Sequence, residues 1–233
     1  MAKKKGVQNS KGEGAALHAV LVLDASGSME HLQSETIKSV NEYITGIVDS
    51  VEKITIAVFN TGMEGNEIKT KTYEDLSDGV ELSPADYVCG GATPLLDAVG
   101  TAVSGITDEN ALVVVVTDGY ENSSKEYTGD QIKELIKTKT AGGWKFIYLG
   151  ADQDAWGTGQ SYGFEAGTNY NFVSTSDGMN DLARSLAVDT SAYAASFTSD
   201  AGATWKGANL DANDAKVRGA DNLVVKEDDA NEA

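Results

Sequence analysis

The sequence predicts a doubly wound α/β domain: a mostly parallel central sheet with one antiparallel edge strand and helices on both faces. Three observations carry that expectation. Short continuous apolar runs, the mark of strands buried on both faces, occur at residues 19–23, 54–59, 111–117 and 146–149. Helical stripes fill the intervals between them. One more polar segment, 67–73, alternates Ile68, Thr70 and Thr72 with charged residues, as an edge strand with one wet face does.

Taken in order, the run Ala19-Val20-Leu21-Val22-Leu23 is the first strand and ends on Asp24. Ile37, Val40, Ile44, Ile47, Val48 and Val51 then lay one apolar stripe along a helix before the 54–59 strand and the polar edge strand. A further helix is expected from about Leu95, after Gly90-Gly91-Ala92-Thr93-Pro94, whose glycines and proline set a sharp turn. The 111–117 strand is the most apolar in the chain. A helix carrying Ile132, Leu135 and Ile136 follows it, with Thr128 as cap and Gly142-Gly143 as stop. After the 146–149 strand come a short helix at 155–162, a last strand at 169–173 and a final helix at 178–198, with Leu182, Leu186, Val188 and Tyr193 as its inward residues.

Residues 1–14 and 199–233 lack periodicity, so the expected organisation is a basic N-terminal tail (1–14), one domain (15–198) and an acidic C-terminal extension (199–233). Both tails default to mobile chain, with Trp205 and Leu223-Val224-Val225 as candidate anchors in the second.

A length of 233 residues suits one α/β domain with extensions. The formal net charge of -18 argues against nonspecific attraction to nucleic acid or anionic membrane, which reward clustered Lys and Arg. The single Cys89 excludes an intramolecular disulfide and any Cys-based zinc set. Lys3-Lys4-Lys5 ahead of the apolar stretch imitates a signal peptide, but the polar spacer 6–14 separates the two, and cleavage near Ala25 would remove the first strand. No run reaches the roughly 18 apolar residues of a membrane span. The expected location is cytoplasmic, or the virion if the chain is part of a phage particle.

Ligands of an open parallel sheet bind at the carboxyl ends of its strands. Three oxygen-bearing loops are predicted there: Asp24-Ala25-Ser26-Gly27-Ser28, the Thr93 turn, and Thr117-Asp118-Gly119. Oxygen-only donors with few carboxylates suit Mg²⁺ (or Mn²⁺), a hard ion that keeps several waters, better than Zn²⁺. Neutral hydroxyl ligands leave such an ion electropositive and able to draw an acidic group from another molecule.

These residues resemble the von Willebrand factor A (vWA) domain, a Rossmann-like fold, and its metal-ion-dependent adhesion site. That motif is Asp-x-Ser-x-Ser on one loop, a Thr on a second and an Asp on a third, and it is matched by Asp24, Ser26, Ser28, Thr93 and Asp118. The resemblance covers about residues 16–198. The segment 117–124 together with 150–154 is similar to small stand-alone bacterial and phage versions. The resemblance implies a metal held by those five residues, directly or through water, a partner Asp or Glu completing the coordination, and an associated shift of the 178–198 helix. Glu30, Gly91, Tyr120 and Glu121 are candidates for a partner-binding rim, and Glu30, Asp97 and Glu121 for tuning the local field.

The expected function is thus metal-dependent protein binding without catalysis. One alternative is a structural component of a phage particle or bacterial assembly, with the domain as scaffold and the tails contacting neighbours. The other is a Mg²⁺-dependent phosphatase, whose Asp-x-Asp-x-Thr motif needs a carboxylic acid where this chain has Ser26. A Ser-His-Asp hydrolase is disfavoured, since the only histidines are His18 and His31 and the chain has no Gly-x-Ser-x-Gly elbow. For Asp24-x-Ser26-x-Ser28 alone, the plain alternative is a strand end followed by a helix capped by Ser28.

Overall fold

The computed structural model describes residues 17–62, 65–197 and 202–230, with side chains to residue 219. Six strands form one sheet in the order β3-β2-β1-β4-β5-β6. They are β1 (His18–Asp24), β2 (Lys53–Gly62), β3 (Gly65–Tyr73), β4 (Ala111–Thr117), β5 (Lys145–Ala151) and β6 (Asn169–Phe172). All neighbours run parallel except β2 and β3, which pair antiparallel from Ile54↔Tyr73 to Gly62↔Gly65. The predicted sheet, wet edge strand included, is the observed one.

Period-two alternation divides the core. Ala19, Leu21 and Leu23 of β1, with Leu112, Val114 and Val116 of β4, face helices α1 (Gln33–Ile47) and α5 (Ser176–Ser196). Val20, Val22, Val113 and Val115 face α2 (Leu95–Ser104) and α3 (Gly129–Ala141) on the other side. Because both faces are covered, these strands have no polar positions to spare, which is why they read as unbroken apolar runs. At the ends the chemistry changes: His18 and Asp24 are buried polar residues that close β1 at its two ends.

Helix termini follow their sequence signals. Thr128 accepts from the Gln131 N–H while the Gln131 side chain accepts from the Thr128 N–H, a capping box that starts α3, and Gly142 ends it. Ser28 does not cap a helix. It lies inside a short 3-10 turn, Gly27–Leu32, that leads into α1. Val188, expected to face inward from α5, is instead exposed, because the helix turns Ala187 and Thr190 to the core.

The default of mobile chain fails for residues 202–219. Leu210 and Asp214 of α6 (Ala208–Ala230) are buried. The Asp189 carboxylate on α5 accepts from the backbone N–H groups of Asn209 (3.1 Å) and Leu210 (2.9 Å), capping α6 from outside. Asp214 Oδ1 accepts from the Asn171 backbone and side chain, both at 2.8 Å, satisfying β6 at its free edge. Trp205 lies edge-on to Tyr193 and donates its indole N–H to the Tyr170 hydroxyl at 3.2 Å, as anchoring required. The predicted tail at 1–14 lies outside the described residues, as do the side chains of Leu223-Val224-Val225. Among the described residues no helix is long and apolar enough to cross a membrane.

Candidate metal centre

Strand order reverses between β1 and β4: the chain winds from β1 outward to β2 and β3, then returns to β4 on the other side. The crevice at such a switch point opens at the carboxyl ends of the two strands. Asp24 ends β1 and Asp118 follows β4 directly, so topology alone brings two carboxylates to one rim.

The Asp24 turn is held from within. Asp24 Oδ1 accepts from the Ser26 N–H at 2.8 Å, and Oδ2 from the Thr117 hydroxyl at 2.6 Å. The Tyr87 hydroxyl donates to the Asp24 carbonyl at 2.5 Å. Ser26 Oγ lies 3.1 Å from Ser28 Oγ, and the Ser28 hydroxyl donates to Asp118 Oδ1 at 2.5 Å. First and third loops are therefore in direct contact.

The second loop is locked on both sides. Gly27 N–H donates to the Gly91 carbonyl at 3.0 Å and Gly90 N–H to the Ala25 carbonyl at 2.8 Å, tying it to the first loop. Thr93 N–H donates to Asn122 Oδ1 at 2.9 Å, tying it to the third. Gly91 has φ +69, and a Cβ there would lie 2.0 Å from the Thr61 carbonyl oxygen, so the position admits no side chain. Thr93 is buried with its hydroxyl turned to the common space: a Cβ built on Gly119 would lie 3.1 Å from Thr93 Oγ1 and 3.8 Å from both Asp24 Oδ2 and Ser28 Oγ. The structure thus gathers all five predicted residues in one pocket of oxygens.

Electrostatics favour a cation there. Burial pushes the Asp24 carboxyl up to about 6, against the hydrogen bonds from Thr117 and Ser26 that favour its charged form, and the nearby Asp118 charge adds to the rise. No Lys or Arg is paired with Asp24 or Asp118 in the ion pairs of the described residues. Nor is there a group of three or more His, Cys, Asp or Glu able to hold a metal among them. The donor set relies on its hydroxyls, and it fits a hard divalent ion in number and chemistry.

The rim candidates divide. Tyr120 and Glu30 are exposed, and Gly91 serves the backbone turn. Glu121 is committed inward, its carboxylate accepting from the backbone N–H groups of Leu96, Ser123 and Ser124 and from the Ser124 hydroxyl at 2.7–2.9 Å. Asp97 is buried and equally engaged, accepting from Asn66 and from the N–H groups of Lys125, Glu126 and Tyr127 at 2.8–2.9 Å. Burial pushes Asp97 up, but these bonds outweigh it and leave the carboxyl below the usual range. Both residues shape the 119–128 loop. Thr117, Tyr87 and Asn122 hold the site together although sequence reasoning assigned none of them such a role; a hydroxyl closing an otherwise apolar strand was the available signal for Thr117. Cys89 is half-buried, and burial pushes its thiol up to about 11, consistent with a packing residue.

No protein-family model and no curated protein matches the chain in sequence. Solved structures do match in shape. The pilus adhesin SpaC from Lactobacillus rhamnosus GG is 14% identical with a TM-score of 0.55, covering 77% of this chain and 31% of its own. Proximal thread matrix protein 1 from the mussel byssus is 19% identical with a TM-score of 0.52, over 76% of this chain and 48% of its own. A further structure of that protein has a zinc-occupied MIDAS motif. The SpRpn10 VWA domain is 10% identical with a TM-score of 0.50, over 72% of this chain and 93% of its own. The molecule has the vWA fold. The chain spans about a third of the adhesin and about half of the matrix protein.

Proposed function

We propose that this protein is a metal-dependent protein-binding module. Asp24, Ser26, Ser28, Thr93 and Asp118 hold a divalent ion, Mg²⁺ or Mn²⁺, and an Asp or Glu of a protein partner completes its coordination. The observation that carries the reading is the meeting of the three loops in a space lined by oxygen donors, including two carboxylates that have no paired Lys or Arg among the described residues. The bound ion supplies positive charge that an incoming carboxylate meets. Around it, Thr117 and the Ser26 N–H keep both Asp24 oxygens oriented, and Asn122 fixes the backbone that carries Thr93. The zinc found at the equivalent motif of the mussel protein supports a divalent ion in this fold.

Binding rather than turnover is favoured by what surrounds Asp24. Position 26 carries a hydroxyl where a phosphatase of this strand-end type needs an acid, and Asp97 and Glu121 are each saturated by hydrogen bonds. The test is calorimetric titration of Mg²⁺ and Mn²⁺ into wild type and Asp24→Ala. Wild type is expected to bind with a weakening of about 100-fold or more in the variant, since removing even an outer-shell group costs 10–100-fold. Equal binding by the two proteins would refute the site.

A further inference from the structure

The two edges of the sheet are finished differently. At one edge, β6 has four residues and is covered: Asp214 of α6 accepts from the Asn171 N–H at 2.8 Å, and the Asn171 side chain accepts from the Ala155 N–H, 3.1 Å away at the start of α4 (Ala155–Ser161). At the other edge, β3 runs nine residues without a proline and pairs in the sheet with β2 alone. Among the described residues no backbone–backbone hydrogen bond joins β3 to any segment but β2. Glu67, Lys69, Thr70, Lys71 and Thr72 are exposed. A long uncovered edge is a template for another strand unless something blocks it.

Which backbone groups face outward follows from the ladder on the inner side. The Ala25 N–H donates to the Phe59 carbonyl at 2.9 Å, so Phe59 turns its backbone to β1, and its neighbours Val58 and Asn60 turn theirs to β3. Their partners in register are Lys69 and Glu67, whose backbone groups are therefore spent on β2. Asn66, Ile68, Thr70 and Thr72 alternate with them and present their donors and acceptors outward. Side chains alternate as well: Glu67 and Lys69 share one face, their charged groups 3.4 Å apart, while Ile68 packs half-buried against the α2 side of the core.

We propose that β3 is a dimerisation edge, pairing antiparallel with β3 of a second copy about a two-fold axis at Ile68. Charge decides both the occupant and the register. With the axis at Ile68, Glu67 stands directly opposite Lys69 of the second copy, and Lys69 opposite its Glu67. These are positions where side chains come closest, because the hydrogen bonds belong to the alternate pairs, Asn66 with Thr70 and Ile68 with Ile68. Four charges then alternate in sign, with no like charges facing. An axis at Glu67, Lys69 or Lys71 sets that residue against its own copy, and an axis at Thr70 sets Lys69 against Lys71. An axis between residues brings outward backbone against spent backbone. The strand is thus complementary to itself in one register, as a two-fold contact requires. Antiparallel pairing turns the second copy end for end, so the two oxygen pockets face opposite ways. On the metal-site reading above, the dimer is a linker with two outward sites; the pairing itself does not depend on that reading.

Sedimentation equilibrium of the full chain, in Mg²⁺ and in EDTA, tests the proposal. Wild type is expected to show the same monomer–dimer equilibrium in both. Lys69→Glu alone and Glu67→Lys alone are each expected to weaken it about tenfold or more, and the double exchange to restore it to within about threefold. Thr70→Pro removes an outward N–H that β2 does not use, a position where an edge strand accepts proline, and is expected to abolish the dimer while melting temperature and Mg²⁺ affinity are kept. A chain that stays monomeric at about 1 mM, near the weak limit of specific association, overturns the proposal. So does a dimer that ignores both Lys69→Glu and Thr70→Pro, or a double exchange that fails to recover. A dimer that dissolves in EDTA overturns it too, in favour of association through the metal pocket.

Discussion

The two ends of the central strands solve the same problem in opposite ways. At the amino end, His18 is buried with Nδ1 2.9 Å from Asp108 Oδ2 and Nε2 2.8 Å from Thr55 Oγ1, which meets Thr72 Oγ1 at 2.8 Å. Lys53 Nζ closes the cluster, 2.9 Å from Asp108 and 3.1 Å from Glu74. Acidic and basic groups alternate there and the network is self-sufficient. At the carboxyl end, Asp24 and Asp118 meet hydroxyls and N–H groups but no paired cation among the described residues. Burial tips Asp108 and Asp24 the same way, upward, yet the bonds from Lys53 and His18 bring Asp108 below the usual carboxylate range while Asp24 stays at about 6. Polar clusters at strand ends are thus not equivalent: one is a finished structural latch, and the other lacks the positive charge that would balance it.

The largest effect that sharpens this contrast is expected at the latch. Asp108→Ala leaves the half-exposed Lys53 without its carboxylate and strands the buried His18 ring at Nδ1, and stranding buried polar groups costs up to about 3 kcal/mol. In a domain of this size that is a fall of roughly 10 °C in melting temperature. Magnesium affinity is expected to stay unchanged, because the two clusters sit at opposite ends of the sheet. A calorimetric melt and a metal titration on the same variant check both statements; lost metal binding in a still-folded Asp108→Ala would erase the division.

Next in size is the opposite pH response of the two ends. Asp108 has a lowered folded value, so its contribution is present above the ordinary carboxylate range and disappears as pH falls through it. Asp24 has a raised one, so its contribution is full below its unfolded value of 3.8 and is lost as pH rises through about 6. Metal-free protein therefore loses about 2 to 3 kcal/mol at this residue between pH 4 and pH 7, from some two units at 1.36 kcal/mol each. Asp24→Asn, which cannot ionise, is expected to remove that slope in EDTA melts, and saturating Mg²⁺ to remove it in wild type alone. An Asn variant that still loses stability over this interval would place the penalty elsewhere.

How much of this was legible in the chain depends on whether a residue's role is set by its neighbours in sequence or across the fold. The strands could be read because β1 and β4 bury both faces and allow nothing but apolar side chains. Asp24, Ser26, Ser28 and Asp118 could be read because they end or follow β1 and β4, and a parallel sheet gathers its carboxyl ends; Thr93, on the turn before α2, was legible only as the remaining part of the motif. Glu121 and Asp97 could not: an acidic side chain near a metal loop looks the same whether it faces a partner or binds the backbone of Lys125 and Ser123, and only the fold brings those N–H groups within reach. Val188 failed for a related reason, since an isolated valine on a helix rich in alanine leaves the buried stripe ambiguous. Residues 202–219 failed most plainly. Their composition of Asp, Asn, Ala and Gly is that of mobile chain, and what fixes them is an acceptor supplied from 20 residues away by Asp189.

That acceptor gives the smallest of the expected effects and the most local one. Asp189 does for α6 what an N-cap residue normally does from within its own helix: it accepts from the N–H groups of Asn209 and Leu210, which have no partner inside the helix. Replacing it with alanine strands those donors, the Leu210 N–H at a buried position, at a cost of about 1 to 2 kcal/mol, comparable to the loss of an ordinary cap. Asp214 still ties α6 to Asn171, so the helix is expected to loosen at its start rather than leave the sheet. Hydrogen exchange should accordingly accelerate at 209–211 and in the Trp205 indole, with β1 and β4 untouched and metal affinity at the wild-type value. Were β6 amides to exchange faster by the same factor as those of α6, cap and edge cover would be one cooperative unit, and the C-terminal segment would count as part of the domain's core rather than as an addition to it.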